Sequence, residues 1–249
     1  MEITSVNNEY VKECSKLLQK KYRNQTNKFI IEGYKAIKEA HDFGIEIEKV
    51  FVERGKLNEY DFISDKIIET NEAVLKKISD VESCPQAVAI AVQKHYDKTL
   101  LSKYKKVLLL ENIKDAGNLG TIIRSSVAFG VDAIILYGDS VDIYNPKCVR
   151  SAVGNLWKIP IFNIKDFSQL KEIFNNFERI ATLPRSKNYL KDFVFKSPSL
   201  IMFGSEADGL SEELVNFSTN SVKIEMAQTV ESLNLATSVS IILYKSMIS

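Results

Sequence analysis

The sequence predicts an α/β protein in which an open, mostly parallel sheet is covered by helices and preceded by a smaller α/β domain. Three observations lead there. From residue 107 onward, short apolar runs alternate with helical stretches at a spacing that crossover connections between parallel strands require. The first 95 residues show a separate, shorter alternation of helix and strand. Between the two lies HYDKTLLSKYKK (95–106), polar and without a clear period, so the expected division is 1–98 and 105–249.

In the first part, residues 8–22 set Val11, Leu18 and Tyr22 between charged positions, which suits an amphipathic helix. Lys16, Lys20 and Arg23 fall at i, i+4 and i+7, so a continuous helix would place them on one face. A second helix is expected over 34–43, closed by Gly44. EKVFVE (48–53) reads as a strand, 71–78 as a short helix and QAVAIAVQK (86–94) as a buried strand.

In the second part the expected strands are VLLLE (107–111), AIILY (133–137), IPIFN (159–163), RIATL (179–183), SLIMF (199–203) and SVKIE (221–225). Helices are expected at 119–129, 166–176, 211–216 and 233–246. In such sheets ligands bind in the loops beyond the carboxyl ends of the strands.

Composition narrows the class. A hydrophobic share of 45% with 26% charged residues is that of an ordinary globular protein. The 33 Lys and Arg nearly balance the 32 Asp and Glu, so net charge points to no partner, but its distribution does. Between Cys14 and Ile31 stand Lys16, Lys20, Lys21, Arg23 and Lys28 with no acid among them. The three cysteines are too scattered for a zinc site and odd in number for a disulfide framework, so no metal is expected. No apolar run approaches the roughly 20 residues of a membrane span, and a reduced, cytoplasmic protein is the expectation.

Three loops after apolar strands carry the chemistry. In VLLLE–NIKDAGNLG–TIIRSSVAFG, Asn118 is a candidate helix cap, and Leu119, Ile122, Ile123, Ser126, Val127 and Gly130 form the buried stripe. Arg124 projects away from that stripe, in a part of the helix that already carries partial positive charge. It is either an ordinary surface arginine or a planar fork aimed at an anion. The loop lacks the G-x-G-x-x-G spacing, and no phosphate-binding G-x-x-x-x-G-K-[ST] occurs, which disfavours a nucleotide-dependent doubly wound enzyme.

In SLIMF–GSEADGLS–EELV, Gly204 and Gly209 bracket a tight turn, and Ser211 caps the helix that follows. That capping does not account for Glu206, which directly follows a buried strand. In SVKIE–MAQTV–ESLNLATSVSIILYK, either Ser232 or Asn234 suffices as a cap, and everything after Leu235 reads as core.

Together and in this order the loops resemble the motifs of the SpoU (TrmH-type) RNA ribose 2′-O-methyltransferases. The matches are Asn118, Gly120 and Arg124 in the first, Gly204, Glu206 and Gly209-Leu210 in the second, and Met226 with Glu231-Ser232-Leu233-Asn234 in the third. ITSVNNEYVKECSKLLQKKYRNQTNKFIIEG (3–33) resembles the RNA substrate-binding region attached to many ribosomal-RNA members of the family. The chain departs from the family pattern at Ser205, where Asn is frequent, and at Glu225 and Gln228, which replace the Pro and Gly of I-P-M-x-G.

The resemblance implies an open α/β sheet ending in a carboxyl-terminal trefoil knot, and a ribosomal-protein-like first domain. It implies S-adenosylmethionine as cofactor, held near Phe203, Gly204, Ile224, Met226, Ser232 and Leu233. Arg124, Asn118, Glu206 and Asn234 become the expected catalytic residues, with Glu206 anchoring either Arg124 or Asn118. Lys16, Lys20, Arg23, Lys28 and Arg124 become the expected RNA contacts. The expected partners are RNA, ribosomal by preference, and a second copy of the chain that completes the active site. Glu225 and Gln228 fall in the stretch that wraps the donor. They keep a rival open, an RNA-binding protein on this scaffold without catalysis; a transfer-RNA ribose methyltransferase is the other alternative.

Overall fold

The computed structural model describes residues 1–248. In chain order these form β1 (Glu2–Ile3), α1 (Glu9–Lys16), α2 (Lys20–Thr26), β2 (Lys28–Glu32), α3 (Tyr34–Asp42), β3 (Ile47–Glu53), β4 (Ile67–Thr70), α4 (Glu72–Lys77) and β5 (Ala87–Val92). Then follow β6 (Lys106–Glu111), α5 (Ala116–Ala128), β7 (Ala133–Tyr137), α6 (Pro146–Ala152), β8 (Ile161–Ile164), α7 (Phe167–Phe174), β9 (Glu178–Thr182), β10 (Ser199–Phe203), α8 (Glu212–Phe217), β11 (Asn220–Val222) and α9 (Leu235–Ile248). Among the described residues no helix is long and apolar enough to cross a membrane.

The chain divides into two compact units. One comprises Met1–His95 with Asp142–Trp157, the other Tyr96–Val141 with Lys158–Ser249. The first is an α/β unit around a mixed sheet of order β1-β4-β3-β5-β2, with β5 antiparallel to both neighbours. Asp142–Trp157 lies late in sequence yet is tied into it. Tyr144 and Trp157 pack on Phe29 at ring separations of 4.5 and 5.8 Å, and Arg150 on α6 pairs with Glu32 at 2.5 Å.

The expected helix over 8–22 is two helices. α1 ends at Lys16, and the chain turns through Leu17–Gln19 before α2 begins. That break overturns the shared basic face, and Arg23 is not an RNA-facing residue. It is 1% exposed, donates from Nη1 to the carbonyls of Leu17 and Leu18 at 2.8 and 2.9 Å, and pairs with Asp142 at 2.8 Å. The guanidinium satisfies the carbonyls that the end of α1 leaves open. Breaking a buried pair leaves an uncompensated charge, so Arg23→Ala is expected to destabilise the first unit by about 3–5 kcal/mol. Urea denaturation checks this, and an unchanged midpoint would contradict the assignment.

The second unit holds the expected parallel sheet, in the order β11-β9-β10-β6-β7-β8, with every neighbouring pair parallel. β7 and β10 are buried at every residue, as strands covered on both faces must be. The Tyr137 hydroxyl at the end of β7 donates to Glu213 on α8 at 2.9 Å. Burial first, and that bond second, push the Tyr137 phenol up to about 12. α5 and α9 lie side by side, joined by Ser125–Ser240 at 2.7 Å and by the rings of Phe129 and Tyr244. Because all six strands run the same way, the turns after β6 and β10 and the segment after β11 emerge at one edge.

Candidate active site

At that edge the three motif loops meet. The turn after β6 enters α5 through Asp115, whose side chain accepts from the Asn118 backbone N–H at 2.7 Å. Asp115 is therefore the cap, and α5 starts three residues earlier than the sequence suggested. Asn118 sits inside the first turn with its side chain free for another task. Its Nδ2 donates to Glu206 Oε1 at 2.7 Å, and its Oδ1 accepts from Asn234 Nδ2 at 3.0 Å. Asn234 in turn caps α9 by accepting from Thr237 N at 3.3 Å.

The carboxylate fixes the direction of this chain. An ionised Glu206 can only accept, so Asn118 must present its amide nitrogen to it and its oxygen to Asn234. Each amide is thus held in one of its two flips. Of the two partners open to Glu206, the structure gives Asn118.

The turn after β10 is unusually close. A Cβ on Gly204 would lie 1.8 Å from the Gly209 carbonyl carbon, so no side chain fits there. Gly209 has φ +70°, and its N–H donates to Ser205 O at 3.0 Å. Ser205 Oγ accepts from Asp208 N at 3.0 Å, a turn-stabilising contact that an Asn at this position would also make. Ser211 caps α8, and its own N–H is held by the buried Glu111 at 2.8 Å. Helix entry is complete without Glu206, which leaves that carboxylate for the cluster.

The third loop is almost free of internal bonds. Between 224 and 233 the backbone makes one hydrogen bond within itself, Val230 N to Ala227 O at 3.0 Å. Met226 and Val230 are exposed apolar side chains on the same stretch, Ile224 and Leu233 are half-buried, and Ser232 is exposed. Open N–H and C=O groups beside apolar side chains, on a loop joined to the β10 turn through Asn234, Asn118 and Glu206, fit a ligand with a polar adenosine, an apolar ring face and a cationic sulfur. S-adenosylmethionine has that chemistry, so the residues present fit it. Glu225 does not disturb the loop: its carboxylate pairs with Lys191 at 2.9 Å, and that bond raises the pKa of the lysine.

Arg124 stands apart from the cluster. It lies six residues beyond Asn118, about 9 Å further along the helix axis. It is exposed, and among the described residues no hydrogen bond or ion pair holds its guanidinium. In the first unit Lys16 and Lys20 are exposed, while Lys28 is paired with Glu48 at 2.7 Å. Lys16 and Lys21 instead flank the Tyr22 ring, each 5.8 Å from its centre. Sequence reasoning missed Asp115 as the cap, although an acid just before a small-residue helix start is a recognisable signal.

The model of the SpoU rRNA methylase family matches residues 105–244, and that of the MRM3-like substrate-binding domain matches 8–89. The chain belongs to the SpoU rRNA methylase family. An uncharacterized tRNA/rRNA methyltransferase of Synechocystis is 30% identical over 98% of this chain and 92% of its own length. A 23S rRNA guanosine 2′-O-methyltransferase of Bacillus subtilis is 29% identical over 98% of both chains. The crystal structure of an AdoMet-bound rRNA methyltransferase from Sinorhizobium meliloti is 28% identical, covers 99% of this chain and 97% of that one, and superposes with a TM-score of 0.88. The SpoU fold, with its parallel sheet and α/β amino-terminal domain, is thus the one the sequence predicts.

Proposed function

We propose that this protein transfers a methyl group from S-adenosylmethionine to a ribose 2′-hydroxyl of RNA, ribosomal RNA being the favoured substrate. The observation that carries the proposal is the Glu206–Asn118–Asn234 chain, which locks three separate loops into one polar cluster beside a donor-compatible backbone. S-adenosylmethionine supplies an electrophilic methyl group on a sulfonium. The residues of this chain supply alignment, which accounts for much of the rate in such a transfer. Phe203, Gly204, Ile224, Met226, Ser232 and Leu233 line the donor side. Asn118 and Asn234, each held in one flip, orient the ribose through their remaining donor and acceptor positions.

Arg124 acts from the RNA side. A guanidinium already carries its proton at neutral pH and does not serve as a base there. It holds the adjoining phosphate and stabilises the alkoxide that develops as the 2′-hydroxyl is deprotonated. The basic residues of the first unit that remain exposed, Lys16 and Lys20, contact RNA phosphates, with Lys28 joining them only by leaving Glu48.

The reading includes a homodimer and a carboxyl-terminal knot. The dimer is supported by an exposed apolar stripe on α9, where Ile241, Tyr244 and Ile248 are 37, 51 and 57% exposed at helical spacing. Arg124 on the neighbouring α5 then completes the site with the second copy. Because ribosomal RNA is modified where ribosomes are assembled, the reading carries a cytoplasmic location.

Calorimetry with S-adenosylmethionine is the first test, with one donor bound per chain expected. The Glu225–Lys191 pair leaves the donor backbone open, so the scaffold-without-catalysis reading requires donor binding to be absent, and its absence would sink the enzyme. Mass spectrometry of ribosomal and transfer RNA from cells lacking the protein then identifies the missing ribose methyl group.

A further inference from the structure

We propose that the second unit carries its own RNA-contact surface, formed by residues 185–191 and Lys223, where one base of a single-stranded segment stacks on Tyr189 and its phosphates meet Arg185, Lys187 and Lys223. The proposal rests on the methyltransferase reading only in taking RNA as the partner.

The stretch LPRSKNYLK (183–191) follows β9 and contains three basic residues and no acid. It is not a loose loop. Ser186 Oγ meets Ser221 Oγ at 2.9 Å, Asn188 Nδ2 donates to Ser221 O at 3.0 Å, and Asn188 N donates to Ser186 Oγ at 3.1 Å. Lys223 N donates to Asn188 O at 3.0 Å, and Leu190 N donates to Lys223 O at 2.8 Å, making a short parallel bridge beyond β11. Five bonds therefore hold Tyr189 in place, yet its side chain is left out of the core, and the residue is 40% exposed.

Two ammonium groups flank that ring. Lys223 Nζ lies 4.4 Å and Lys191 Nζ 5.4 Å from its centre. Lys191 is neutralised by Glu225, but Lys223, Arg185 and Lys187 have no acidic partner among the described residues. Asp192 is the one further acid in the adjoining stretch, and it is exposed. A rigid aromatic face with one uncompensated ammonium over it, and two more cations within four residues along the chain, is a combination that suits single-stranded nucleic acid bound without reading its sequence.

The location suits the reaction. β9 and β11 run parallel to β10, so 185–191 and Lys223 leave the sheet at the same edge as Glu206. With strands about 4.8 Å apart, the ends of β9 and β11 lie roughly 5 and 10 Å from the end of β10. A base on Tyr189 would belong to the same short segment as the target ribose.

The test is fluorescence anisotropy with a labelled oligouridylate of about 12 nucleotides, titrated over a range of salt. Tyr189→Ala is expected to weaken binding about 5-fold or more, whereas Tyr189→Phe, which keeps the π-face, stays near the unaltered protein. The double variant R185A/K187A is expected to make the log affinity–log salt slope shallower by about 1.4. Thermal melting confirms that each variant is folded. If the unaltered protein binds the oligonucleotide while Tyr189→Ala and R185A/K187A leave affinity and slope unchanged, this surface is not where RNA binds, and the methyltransferase reading, tested by donor calorimetry, stands untouched. A change in sedimentation of these variants without a change in RNA binding likewise overturns the proposal in favour of a contact between chains.

Discussion

Arg124→Ala is expected to lower methyl transfer by about 10²–10³-fold or more, while S-adenosylmethionine binding and the melting temperature stay as they were. The stability half of this expectation follows from exposure. The side chain makes no bond that the folded protein would lose, and surface substitutions of that kind change stability by about 0.5 kcal/mol or less. The activity half follows from charge. An alkoxide forms beside a phosphate, and a bidentate guanidinium can contact both, so its removal leaves developing negative charge unopposed. Arg124→Lys separates charge from geometry: it keeps the positive charge but loses the planar fork, and it should recover only part of the rate. Steady-state transfer to RNA with calorimetric donor binding reads both halves. Loss of donor binding in Arg124→Ala would move the residue into the donor pocket and contradict the role given to it.

The same residue shows what local pattern can reveal. Arg124 was conspicuous because it projects away from the buried stripe, and the structure gives it no internal partner among the described residues; its nearness to a helix start does not hold, because α5 begins at Ala116 and Arg124 is its ninth residue. The strands were legible for a different reason. A run such as SLIMF is buried on both faces, so its apolar character survives any view of its surroundings. Arg23 failed because its partner, Asp142, lies 119 residues away, and a helical-face argument cannot see it. The helix that would have aligned it with Lys16 ends at the turn that Arg23 itself ties down. α6 was passed over as well, although Asn145 followed by Pro146 is a helix start of recognised form. Asn118, Glu206 and Asn234 could be singled out in the sequence, but not the hydrogen bonds that join them. An asparagine at a loop–helix junction suits a cap or a bridge equally well, and only the presence of Asp115 decides between them.

Those hydrogen bonds make the second large effect predictable. In Asn118→Asp the amide nitrogen facing Glu206 at 2.7 Å becomes a carboxylate oxygen, so two like charges meet where one hydrogen bond was. Two charged carboxylates repel there, and as pH falls the pair takes up one proton that belongs to the pair rather than to either residue. Transfer at neutral pH is therefore expected to fall by about 10²-fold or more as the two loops are pushed apart, with part of the loss restored as pH is lowered and the shared proton returns. The double variant N118D/E206Q inverts the polarity without changing total charge. The new carboxylate accepts from the new amide on one side and still accepts from Asn234 Nδ2, bonded to this position at 3.0 Å, on the other. Transfer should then recover well above the level of N118D alone, a coupling that a cycle of the two single variants and the double variant measures directly. A folded double variant no better than N118D would mean that the hydrogen bond between residues 118 and 206 accompanies the site without organising it, and that the amide nitrogen of Asn118 is needed by the substrate instead.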